Sequence, residues 1–153
     1  VGADGPVALL LTRQDVPVLA GSTDHDAVTR GAYVLADPDG EPDVVLIGTG
    51  SEVAVALDAA ATLTAAGHSV RVVSMPCTEL FTEQADGYRA SVLPTGIPTV
   101  SVEAGVTFGW ARWADTSIGI DRFGTSAPGE QAMTGLGITP SAVVAAAESL
   151  LGT

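Results

Sequence analysis

At 153 residues, 46% of them hydrophobic and only 5% aromatic, the chain is long enough for one domain with a proper core, which Ala, Val and Leu must fill. A net charge of −12, with all six basic residues arginine, disfavours nucleic acid and anionic membranes as partners. The single Cys77 excludes an internal disulfide and suits a cytoplasmic location; no apolar run approaching the ~20 residues of a membrane span, and no basic signal-peptide start, is expected.

Val1 to Pro6 reads as a lead-in to Val7-Ala8-Leu9-Leu10-Leu11, an apolar run expected to form a buried strand. Thr12-Arg13-Gln14 falls where that strand ends, and open α/β sheets gather ligands outside the carboxyl ends of their strands. Pro17 to Arg30, with Gly21, Ser22, Asp24, His25 and Asp26, reads as an exposed linker and domain boundary, with His25 in solvent. Ala32 to Ala36 is a strand candidate, closed by the turn sequence Asp37-Pro38-Asp39-Gly40. So short a connection to the next strand predicts antiparallel neighbours, because a parallel link needs a crossover of about a dozen residues. The sheet should therefore be mixed.

The central unit is Asp43 to Ala66. Val44 to Ile47 has the unbroken apolar character of a strand covered on both faces, and Gly48-Thr49-Gly50 supplies a sharp turn. Ser51 is placed to cap a helix whose stripe Val53, Ala56, Leu57, Ala60 and Leu63 recurs at spacings of three and four, with Asp58 and Thr62 facing away. Gly67 ends that helix, and Val70 to Val73 is the next strand after a right-handed crossover. Nucleotide binding at this turn is disfavoured. A third fingerprint glycine and a P-loop Lys are both missing, and Glu52 at the helix start repels anions.

Beyond the unit, His68 reads as a helix C-terminal residue or an exposed one, and Cys77, with no neighbouring histidine, as a packed or loop thiol. Glu79 to Ser91 should form one or two short helices before Pro94, followed by a strand over Thr99 to Val102 leading into Glu103-Ala104-Gly105. Trp110 and Trp113 should share a helix face and serve a core or subunit contact. Thr116 to Ile120 reads as the last strand. Ser126 is expected to cap a helix carrying Pro128, and Thr139-Pro140 to open a final helix running to Leu151.

The segments LLLTRQDVP, GTGSEVAVALDAAATL, VRVVSMPCTELF, YRASVLP, VSVEAG and RFGTSAPGE, in this order and at these spacings, resemble the C-terminal part of transketolase. The resemblance implies a three-layer α/β/α domain with a mixed, mainly parallel five-stranded sheet. Residues 26–153 would be that domain, well defined from about Gly31, and residues 1–25 the tail of a preceding pyrimidine-binding domain with its linker. It implies ketol transfer from ketose phosphate to aldose phosphate, in the pentose phosphate pathway, by a cytoplasmic homodimer using thiamine diphosphate and a divalent metal, Mg or Ca. Arg13, in Thr-Arg-Gln where the family often has Ser-Arg-Gln, matches the arginine that grips the sugar phosphate, and a guanidinium suits that task. The cofactor ligands, metal ligands and catalytic residues belong to earlier domains, so neither cofactor nor metal is expected on this chain. The domain itself is expected to be non-catalytic and to support the dimer. Two other readings remain open at this point: the equivalent domain of a related thiamine enzyme such as dihydroxyacetone synthase, and a free-standing ligand-binding module using the Gly48 to Ser51 turn. The run Val7 to Leu11 separates them, because a free-standing module has no need of it.

Overall fold

Residues 5–19 and 25–153 are described by the computed structural model. Their strands are β1 (Tyr33–Ala36), β2 (Val44–Gly48), β3 (Val70–Ser74), β4 (Thr99–Val102) and β5 (Thr116–Ile118), and they form one sheet in the order β1-β3-β2-β4-β5. β2, β3, β4 and β5 run parallel, while β1 runs antiparallel on the edge. β2 contains only apolar residues and glycine and is buried at every position, so it occupies the centre with β3 and β4 on its flanks. The expected pairing of β1 with β2 is therefore corrected. β1 does run opposite to β2, but β3 lies between them, and Asp37 just after β1 takes two hydrogen bonds from Arg71 of β3 (2.7 and 2.9 Å).

Alternation along the strands divides the core in two. Val44, Leu46, Val70, Val72, Val100 and Val102 face one side, where they meet α2 (Glu52–Ala65) and α6 (Pro140–Leu151). On the other side Val45, Ile47 and Val73 meet Phe81 of α3 (Thr78–Thr82), Val92 of α4 (Asp86–Val92) and Trp110 of a short 3₁₀ turn, Trp110–Arg112. The result is the expected three-layer α/β/α arrangement. Both tryptophans serve the core, since Trp113 packs 5.2 Å from the Phe81 ring while Trp110 is 7% exposed.

Helix α2 buries Val53, Ala56, Ala60 and Leu63 as its spacing predicts, and Asp58 and Thr62 are exposed; Ala59 is fully buried where Leu57 lies half-buried at the margin. It ends at Ala65, with Ala66 as its cap before Gly67, whose φ of 101° suits the left-handed step out of a helix. α6 begins as expected, with the Thr139 hydroxyl accepting from the Ala142 N–H at 3.2 Å. α5 (Gly129–Leu136) does not begin as expected. Pro128 takes the cap position, and Ser126 stands outside the helix. By length and composition the stretch Gly129–Leu151, 23 residues, is apolar enough to cross a membrane, contrary to the sequence expectation. Gly137, at φ 83°, and the Thr139 cap divide it into two helices, and α6 packs its Val143 and Ala147 into the core.

The chain start departs most from expectation. Val7 to Leu11 forms no strand: it is irregular and exposed, with Leu10 89% accessible. All five strands of the sheet come from residues beyond it, so the run has no ladder to join, and an apolar sequence alone cannot make a strand without one. Within the expected linker, His25–Thr29 forms a short helix, α1. Val1 to Asp4 of the lead-in, Ala20 to Asp24 of the linker and the side chain of His25 lie outside the described residues.

Candidate functional site at the carboxyl edge of the sheet

The strand order reverses at β2, since the chain passes from β2 to β3 on one side and then returns to β4 on the other. The crevice outside the carboxyl ends of β2 and β4 is where such sheets receive ligands. Here it is a cleft of about 270 Å³ lined by Thr49, Cys77, Glu79, Glu103, Phe108 and Trp110 among others. The fold thus brings together the glycine turn, Cys77 and the Glu103 segment. It does not bring Arg13 there.

The turn geometry accounts for both glycines without a ligand. A Cβ on Gly48 would lie 2.7 Å from the Val53 Cα, so α2 can start this close to β2 only if residue 48 has no side chain. Gly50 has a φ of 56°, the left-handed region that glycine enters freely. Ser51 does not cap α2, contrary to expectation. It is itself helical, and its hydroxyl donates to the Glu52 carboxylate at 2.7 Å.

Glu52 is the residue that the sequence reading undervalued. At the start of α2 it is only 5% exposed, and its other oxygen accepts from the Ala104 N–H at 3.2 Å, tying the turn after β2 to the end of β4. Next to it Glu103 accepts from the Trp110 indole N–H at 2.7 Å. The only sequence signal for this pairing was that Glu52 and Glu103-Ala104 both follow strands that turned out to be neighbours. Cys77 is half-buried, and its thiol lies 3.5 Å from the Glu79 carboxylate. The Glu79 carboxyl is held below its ordinary value first by its own backbone N–H and then by the Cys77 thiol and Thr78 hydroxyl.

No arginine is among the residues lining this crevice, and two of them are glutamates, so it repels phosphates. Among the described residues no three His, Cys, Asp or Glu side chains converge as metal ligands. A diphosphate held through a divalent metal does not fit these residues. His68 lies at the opposite edge, half-buried beside a groove that also includes Asp37 and Asp39, and donates its backbone N–H to the Leu63 carbonyl. Arg13 is exposed on the irregular segment before Val16, beside a 3.1 Å hydrogen bond from the Gln14 N–H to the Thr12 hydroxyl.

Fold and site together define a doubly wound α/β/α domain whose strand-end crevice is acidic and partly filled by its own side chains. A family model for the transketolase-like TK C-terminal domain matches residues 31–139, and the chain belongs to that family. Transketolase 7 of Craterostigma plantagineum is 49% identical over 153 residues, which is 95% of this chain and 22% of that protein. The chromosomal transketolase of Cupriavidus necator is 49% identical over 152 residues, covering 97% and 22% respectively. The structure of transketolase from Leishmania mexicana superposes with a TM-score of 0.87 at 43% identity, over 92% of this chain and 20% of that one. This chain therefore spans about a fifth of the length of these relatives.

Proposed function

We propose that this chain is the C-terminal portion of a transketolase, which moves a two-carbon ketol unit from a ketose phosphate to an aldose phosphate with thiamine diphosphate and a divalent metal. The observation that carries the reading is identity of 49% over 95% of the chain, far beyond what a shared fold alone requires. The domain acts structurally, supporting a cytoplasmic homodimer of the pentose phosphate pathway, and the cofactor and metal are held by other parts of the enzyme. The acidic crevice supports that division of labour, because it is unsuited to a diphosphate. Residues 1–25 belong to the end of the preceding pyrimidine-binding domain and its linker, and residues 26–153 to the C-terminal domain. The exposed apolar run at Leu9 to Leu11 supports this boundary, since those side chains need a neighbour that residues 26–153 do not supply.

Arg13 grips the substrate phosphate. A charge-assisted hydrogen bond of this kind contributes roughly 1.5 to 3 kcal/mol, or about ten- to a hundredfold in catalytic efficiency. In the full-length enzyme, Arg13→Ala should lose that factor with a phosphorylated acceptor and almost nothing with its phosphate-free counterpart. Equal losses on the two acceptors would remove Arg13 from the substrate site, and an inactive wild-type enzyme would remove the transketolase reading itself.

A further inference from the structure

Two loops leave the carboxyl edge beyond the crevice, residues 103–109 after β4 and residues 119–128 after β5. They are laced together. The Asp121 carboxylate accepts from both the N–H and the hydroxyl of Thr107, at 2.9 and 2.7 Å, and the Ile120 N–H donates to the Gly105 carbonyl at 2.7 Å. Gly119 allows the loops to approach, since a Cβ there would lie 2.7 Å from the Gly105 oxygen. On this fixed frame Phe108, next to Thr107, is 92% exposed, and Phe123, two residues beyond Asp121, is 96% exposed. Val106, two residues before Phe108 on the same loop, is also exposed. A loop whose backbone is tied yet presents whole aromatic rings to solvent has the character of a contact surface.

We propose that Phe108 and Phe123, with Val106, are the surface on which the preceding part of the same polypeptide docks, closing over the carboxyl edge of the sheet. The inference rests on the chain's being the C-terminal domain of a protein about five times as long. The segment leading into the domain is attached at this same edge. Val16, Pro17 and Leu19 line a cleft of about 240 Å³ with Tyr33, Ser51 and Pro76, beside the start of β1 and the ends of β2 and β3. Residues 5–15, fully extended, span about 35 Å, whereas the whole sheet from β1 to β5, four strand spacings, spans only about 20 Å. A body joined through that segment is therefore within reach of the two rings. Charge selects its rim. Glu79 and Glu103 line the crevice with Phe108, while Phe123 follows Asp121 and the exposed Arg122, whose guanidinium donates to the Gly135 carbonyl; a second copy of this chain would bring another −12 to an edge where carboxylates outnumber that arginine, so the docking face has an apolar centre and mainly basic flanks.

Hydroxyl-radical footprinting of the full-length protein tests this without a substitution that could unfold it. Phe81, fully buried within the domain, is the internal reference for protection, and the urea-unfolded protein is the reference for full exposure. Docking predicts that Phe108 and Phe123 are both modified more than about fivefold more slowly than in urea, at every protein concentration. A smaller protection at either ring would overturn the proposal. So would protection that vanishes on dilution in step with dissociation measured by sedimentation, because the occupant would then be a second copy. Ketol-transfer activity of the same preparation is read separately: protected rings in a protein without that activity would retain the docking surface and withdraw the transketolase function.

Discussion

Gly48 is the position where the strand-turn-helix unit leaves least room, and Gly48→Ala should test whether its glycine is there for packing. The new Cβ would stand 2.7 Å from the Val53 Cα, 2.9 Å from the Val53 nitrogen and 3.0 Å from the Glu52 carbonyl oxygen. All three are backbone atoms, so no rotamer change relieves the contact, and the first turn of α2 must move by several tenths of an ångström. That turn carries Glu52 and Val53, both buried, and a shift there also lengthens the Glu52 to Ala104 hydrogen bond. Overpacking of well-filled sites costs about 1–3 kcal/mol, and a clash with fixed backbone belongs at the upper end. For a domain of this size, about 3 kcal/mol corresponds to a fall in Tm of roughly 6–12 °C. Gly50→Ala is the control: open space surrounds it, so only its left-handed conformation is penalised, by about 1–2 kcal/mol. Thermal and urea unfolding of the two variants should therefore rank Gly48→Ala as clearly the more damaging. If Gly48→Ala unfolds within about 0.5 kcal/mol of wild type, as an ordinary surface change would, the close approach of α2 to β2 is not what requires the glycine.

Arg71 should behave as a structural tie. It donates to both oxygens of Asp37 and to the Ser91 and Val92 carbonyls, with its side chain only 11% exposed, so Arg71→Lys, which cannot make the paired contact, should lower stability by about 2 kcal/mol in urea unfolding. The Asp121 carboxyl is held below its ordinary value of 3.8 by the Thr107 hydroxyl and then the Thr107 N–H. A carboxyl depressed in the folded state adds stability above its unfolded pKa and loses it as pH falls through the folded one. The Tm difference between wild type and Asp121→Ala should accordingly be constant at neutral pH and shrink only as pH drops below 3.8; a difference that grows on acidification would contradict the lacing.

How much of this was legible in the sequence depended on whether a residue's structural partner lies near it in the chain. β2 and the burial of Val53, Ala56, Ala60 and Leu63 follow from local periodicity, which a helix or strand must express whatever lies around it. Thr139 was recognisable as a cap because its partner, the Ala142 N–H, is three residues away. Glu52 does stand at the helix start, but its burial was not legible because its partner Ala104 is 52 residues distant, and nothing local marks such a glutamate as buried. The position of β1 failed for the same reason. The short loop to β2 fixed its direction, but the insertion of β3 is a property of the assembled sheet. Val7 to Leu11 failed differently: its composition is that of a buried strand, and the partner that would bury it does not lie in residues 26–153.

The crevice at the strand ends shows how a nucleotide-binding topology can be turned to another use. In such folds the anion satisfies backbone N–H groups that point out of the turns at the carboxyl edge. Here the domain's own carboxylates have taken that part: Glu52 receives the Ala104 N–H, and Glu103 receives the Trp110 indole N–H. Each is an anion supplied by the chain itself, fixed in place of one that would have to diffuse in. A phosphate entering the cleft would meet the Glu79 and Glu103 carboxylates on its wall and find the Trp110 indole N–H already taken, and its desolvation would go uncompensated. What the edge still offers is apolar, namely Phe108 on its rim and Phe123 beyond the Asp121 lacing. An edge whose polar groups are already satisfied and whose exposed groups are aromatic gains more from burial against another protein surface than from binding a small polar ligand. The same residues that disqualify the crevice as a cofactor site therefore suit it to contact between domains.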